Sequence, residues 1–165
     1  MASVQYEENF GRTKAEKDGN EKPSSLDHIY KDTEGPKDIY LVAQQVSRLP
    51  PDQRHWLIAY PMHESKNYNR IIQLTQEKRS KHYTNWGPLT KATSLHDTKM
   101  IPLVLKSTLA ERKKWDAIAH GHPVQVVDGV FNCQIWIRQL LDVAVSRGLV
   151  SRAAVDAAIG QAERP

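Results

Sequence analysis

Residues 130–150, VFNCQIWIRQLLDVAVSRGLV, constrain the fold more than any other stretch, because they read as one amphipathic helix whose apolar face must be covered by another layer. Asn132 is a good N-cap and Gly148 a natural stop. Steps of three and four from Cys133 reach Ile137, Leu140, Leu141 and Ala144, which puts the only cysteine at the helix start and on its buried face. Gln134, Arg138 and Asp142 form the opposite, wetter stripe. A thiol in this position sits at the positive end of the helix dipole, beside unpaired N–H groups, and both favour thiolate over thiol. A lone buried cysteine also serves simply as a small hydrophobe, so its chemistry depends on what the rest of the chain places near it.

The covering layer is expected to be a sheet. Residues 38–46, DIYLVAQQV, read as a first strand, closed by the turn at Leu49-Pro50-Pro51-Asp52 that no helix could cross. Residues 55–62, HWLIAYPM, form a second strand and residues 70–76, RIIQLTQ, a third, joined as a hairpin. With period two, His55 shares a face with Leu57 and Ala59, while Trp56, Ile58 and Tyr60 take the other; Gln73 goes with Ile71 and Thr75. Residues 81–97, around Trp86-Gly87-Pro88, read as an irregular loop. Residues 99–106, KMIPLVLK, are a fourth strand in which Pro102 favours an edge or a bulge. Thr108 and Glu111 make a capping box for a short helix to about His120, and Ser151 caps a final alanine-rich helix.

These elements imply an α+β domain over residues 38–165, a small antiparallel sheet packed on a central helix that begins at the cysteine. Residues 1–37 carry few large apolar side chains, and their composition predicts a disordered polar tail. The net charge of +4 is spread over scattered groups such as Lys78, Arg79 and Lys81 or Arg112, Lys113 and Lys114, without interleaved aromatics. Such groups read as solvated faces, so no nucleic-acid partner is expected, and contact with anionic phospholipid head groups is the weaker peripheral alternative. One cysteine excludes an internal disulfide and a Cys-based zinc cluster and fits a reducing compartment, here expected to be the cytoplasm. No apolar run has the length of a membrane span, no histidine or carboxylate spacing matches a zinc site, and no cofactor is expected.

A thiol nucleophile needs a base and a polar group to hold the base in a useful tautomer. His55 is the candidate base, and Gln73, across the hairpin, the candidate orienting group. His63 is the rival third member, and His120 or His122, in the connector before the helix, could also approach the thiol. Trp56 and Trp136 are expected to pack in the core between sheet and helix, and the alternative is that with Tyr60 they wall an apolar substrate pocket. Tyr40, Tyr60 or the backbone N–H of Cys133 are candidate oxyanion donors, the last on the better geometry.

The order of HWLIAYP, then RIIQL, then FNCQIWI resembles the circularly permuted papain-like (NlpC-type) superfamily, in which the histidine strand precedes the cysteine helix. Lecithin retinol acyltransferase-like proteins, the related phospholipase and acyltransferases, and permuted deSUMOylating-type peptidases share that order. The resemblance covers roughly residues 39–150 and implies a papain-like fold, with Cys133 as nucleophile, His55 as base and Gln73 in the place of a second histidine. Gln73 is the departure, since an amide orients imidazole but cannot share a proton with it. The implied activity is a thiol hydrolase or acyltransferase working through an acyl-thioester on a small-molecule, acyl or peptide substrate. Two alternatives are a non-hydrolytic cyclase or isomerase using the same pocket, and an inactive binding protein.

Overall fold

A computed structural model describes residues 2–64, 67–79 and 81–165. Strands β1 (Lys37–Gln44), β2 (Trp56–Pro61), β3 (Tyr68–Ile72), β6 (Leu89–Ala92) and β7 (Thr98–Ser107) form one antiparallel sheet in the order β6-β3-β2-β1-β7. β4 (Thr75–Gln76) and β5 (Tyr83–Thr84) pair separately. Helix α1 (Arg12–Lys17) precedes the sheet, and α2 (Leu109–His120), α3 (Cys133–Ser146) and α4 (Arg152–Ala162) follow it. The architecture is therefore α+β.

Sheet register decides which residues meet the helices. Leu41 pairs with Ile58 and Ala43 with Trp56, so alternate residues of β1 and β2 project together into a buried layer with Ile137, Leu140, Leu141 and Ala144 of α3. Val42, Leu57, Ala59 and Ile71 form a smaller apolar cluster on the opposite face, with Leu95 over them. Truncating a core residue such as Leu140, which is fully buried, costs about 2–5 kcal/mol in comparable cores.

The helix boundaries follow their local signals. Thr108 and Glu111 make the reciprocal capping box of α2, Asn132 Oδ1 accepts from Ile135 N at 3.0 Å, and Ser151 caps α4. Gly148, at φ 70°, supplies the left-handed residue that ends the chain path of α3. β7 is an edge strand, Pro102 lies opposite Tyr40, and the register shifts beside that pair.

Several expectations are corrected. The predicted third strand is interrupted at Gln73–Leu74, dividing it into β3 and β4. The region expected as an irregular loop over residues 81–97 contains β5, which pairs with β4, and β6, which covers the outer edge of β3 with Leu89 and Thr90 buried in meeting it. Residues 1–37, expected to be disordered, pack on the domain where described. Tyr6 bridges Gln125, Phe10 accepts from Asn85 N at 3.0 Å, and Ala15 is buried with Trp86 and Leu89. A Cβ on Gly11, at φ 81°, would collide with the carbonyl oxygen of Tyr83. Further along, Asp32 accepts from Arg112 Nε at 2.8 Å, and the same guanidinium donates to the carbonyls of Thr33, Gly35 and Ser107. Arg112 is thus fully buried rather than part of a solvated face. Backbone bonds and this charged anchor hold the segment although it contributes little apolar surface.

Candidate active site

The structure brings Cys133, His55 and Gln73 together at one end of the sheet. His55 is the last residue before β2 and Gln73 the first after β3, so both lie just outside the paired register Ile58↔Ile72. Beyond the β2–β3 pairing their side chains meet, with His55 Nε2 to Gln73 Oε1 at 2.9 Å, while the His55 carbonyl still accepts from Gln44 N at 3.0 Å. Above that strand end sits the first turn of α3, which supplies Cys133. The imidazole and the thiol lie near enough to shift each other's ionisation.

Burial alone would push the Cys133 thiol up. His55, with backbone N–H groups of Trp56 and Gln134, outweighs that, and the thiol lies below its ordinary value of 9.0. Burial alone would likewise lower His55, but the hydrogen bond and charge of Cys133 and the bond to Gln73 hold it above its ordinary 6.5. The two groups therefore favour each other's charged forms. An amide oxygen only accepts, so Gln73 Oε1 requires a hydrogen on Nε2, and in the neutral ring the lone pair is then on Nδ1.

Beside this pair lies a cleft of ≈ 470 Å³ whose wall includes Arg54, His55, Gln73, Tyr83, Asn132 and Cys133. Tyr83 stands edge-on to Phe131 at 5.8 Å, and its hydroxyl is pushed above the ordinary 10.0 by burial and then by the negative charge of Cys133.

Gln134 is the residue whose placement the helical pattern misjudged. Expected on the wetter stripe, it is only 7% exposed. Its Nε2 donates to the carbonyls of Pro51 at 2.8 Å and Arg54 at 2.9 Å. The residue after the cysteine thus clasps the loop that delivers the histidine. Gln134 and Arg54 have no local signature in the sequence, since the contacts that matter bridge distant segments.

Other expected members lie elsewhere. Trp56 and Trp136 are fully buried in the core and Tyr60 nearly so, and none of the three walls the cleft. The apolar pocket expected of them is filled by sheet-to-helix packing. Tyr60 donates to Asp116 at 3.0 Å and Tyr40 to Asp38 at 3.4 Å, so neither hydroxyl is an oxyanion donor for Cys133. His63 stands edge-on to Tyr30 and Tyr68, apart from the cleft. His122 packs edge-on against Trp136 at 5.3 Å, where burial pushes it down to about 4. His120 does not wall the cleft either.

Among the described residues no group of three or more His, Cys, Asp or Glu side chains could hold a metal ion, and no helix is long and apolar enough to cross a membrane. Comparison of the chain with protein-family models, with curated proteins and with solved structures finds no match.

Proposed function

We propose that the protein is a thiol-dependent hydrolase or acyltransferase with a permuted papain-like arrangement of its site. The observation that carries this reading is the line Cys133–His55–Gln73 at the mouth of a cleft, with the thiol at a helix N-terminus and its ionisation favoured. The order of the three residues along the chain agrees with the resemblance drawn from the sequence.

In this reading, His55 Nδ1 takes the thiol proton and Cys133 Sγ attacks a carbonyl carbon, forming a C–S bond and a tetrahedral oxyanion. The backbone N–H of Cys133, at the start of α3, is the natural oxyanion donor. Collapse breaks the bond to the leaving group, which takes the proton from His55 and departs, leaving an acyl-thioester. Water or another nucleophile then gives its proton to His55 as it attacks the thioester carbon, and the thiolate is released. Gln73 keeps the imidazole in the Nδ1-basic tautomer whenever the ring is neutral, without supplying charge. Its neutrality makes the ion pair depend on Cys133 and His55 themselves.

Turnover of activated acyl esters, thioesters and peptide amides by the wild type and by Cys133→Ala, Cys133→Ser and His55→Gln tests the proposal. Loss of hydrolysis in the cysteine variants and a large loss in His55→Gln are expected. Equal turnover in wild type and Cys133→Ala would end it.

A further inference from the structure

The cleft beside Cys133 contains one cation that the protein leaves incompletely matched. Arg54, immediately before His55, is 7% exposed, and its Nε donates to the carbonyl of Leu49 at 3.2 Å. Its Nη1 is buried with no hydrogen-bond partner among the described residues, and no ion pair involves it there. A charged donor withdrawn from water in this way is costly to leave unmet. Buried arginine elsewhere in the same chain is handled differently, for Arg112 is met by Asp32 and by three carbonyls.

Arg54 also lines the cleft that Cys133 and His55 line, and so does Asn132 at the N-terminus of the 14-residue helix α3. Arg54 and the helix N-terminus thus border one space, and both favour a negative group. Asp52 is the acidic residue on the same wall; it is exposed and forms no ion pair with Arg54 among the described residues. Water screens a carboxylate so placed far more than it screens the buried arginine.

We propose that Arg54 receives an anionic group of the substrate, a carboxylate or a phosphate, close to the bond that Cys133 attacks. The proposal rests on the thiol reading above for its role in catalysis, though the anion site itself is independent of that reaction. The planar fork of the guanidinium suits either anion, and a turn of the side chain toward the cleft would give the sealed Nη1 the partner it lacks. Arg54 then acts as the specificity-determining residue of the cleft.

Alkylation of Cys133 tests this, because the chain has no other cysteine. With iodoacetate or iodoacetamide the thiolate attacks the methylene carbon, the C–S bond forms and iodide leaves, so the reagents differ only in carboxylate against amide. The ratio of iodoacetate to iodoacetamide rates is expected to fall about tenfold or more in Arg54→Gln, since a charge-assisted hydrogen bond is worth that factor. Arg54→Lys, which keeps the charge and loses the fork, should fall between. In the wild type, acetate and inorganic phosphate at constant ionic strength should protect Cys133 from iodoacetamide, and whichever protects at the lower concentration identifies the class of anion. An unchanged ratio in Arg54→Gln, with the iodoacetamide rate retained, overturns the proposal. If that variant loses its fold, absence of protection by both anions in the wild type overturns it instead. A thiol that reacts with iodoacetamide no faster than a free cysteine would count against the thiol reading alone. The anion site is then read by the thermal midpoint, which phosphate or acetate should raise in the wild type and not in Arg54→Gln.

Discussion

Replacing Gln134 by Leu should damage stability and thiol chemistry together, because one side chain joins the cysteine helix to the histidine loop. The substitution roughly keeps the volume and removes both donated hydrogen bonds, at 2.8 Å to Pro51 O and 2.9 Å to Arg54 O. Each bond is worth about 0.5–1.5 kcal/mol, and leaving the acceptors facing methyl groups adds to the loss, so about 2–3 kcal/mol is expected. Urea denaturation reads this as a lower midpoint at an unchanged slope. The carbonyl of Arg54 is one bond from His55, so the imidazole should loosen from Cys133 as well. Burial then prevails over the weakened partner, and the thiol pKa should rise toward and past 9.0, its ordinary value. The pH dependence of iodoacetamide alkylation reads that shift. A stability loss below about 0.5 kcal/mol would refute the energetic reasoning, being less than one such bond is worth. A full stability loss with an unmoved thiol pKa would refute the coupling and leave Gln134 as a purely structural clasp.

Other expectations concern the same site and its frame. Gln73→Ala removes a hydrogen bond that raises His55, so the imidazole should titrate lower, as followed by NMR of the ring protons, with turnover reduced more in kcat than in KM. The pH–rate profile should be a bell whose acid limb lies below the ordinary thiol value of 9.0 and whose alkaline limb lies above the ordinary imidazole value of 6.5, both limbs belonging to the coupled pair. The stability contribution of His55 should be complete below 6.5 and lost as pH rises through its raised folded value. That of Cys133 should be present above 9.0 and lost as pH falls through its lowered folded value, and urea titrations of wild type against Cys133→Ala follow both. Asp32→Ala strands the fully buried Arg112 and should cost about 3–5 kcal/mol, with proteolysis of residues 20–37 as a second readout.

Much of this protein was legible from neighbours along the chain. The caps at Thr108, Asn132 and Ser151 and the stop at Gly148 involve residues three or four apart, so a linear pattern carries them. Alternation in β2 likewise separated Trp56, Ile58 and Tyr60 from Leu57 and Ala59, as the two apolar clusters do. His55, Gln73 and Cys133 were legible as residue types that suit one another, and they meet at the strand end. Their meeting depends on both His55 and Gln73 falling just beyond the β2–β3 pairing, which no linear pattern locates.

What the sequence determined by itself, then, is the set of elements and the chemical candidates, because propensity, capping and periodicity act over one or two turns of chain. Tertiary structure alone decided how those candidates are held. Gln134 reaches back 83 residues to Pro51, and Arg112 reaches 80 to Asp32. No local pattern encodes such contacts, since a polar side chain reads as solvated until the fold closes over it. The same closure kept Trp56 and Trp136 wholly in the core and off any pocket wall, and left Arg54 buried beside the cleft with a donor unmet. Hydrogen-bonding partners supplied from distant segments are what separate a buried polar residue from an exposed one, and those partners exist only once the chain has folded.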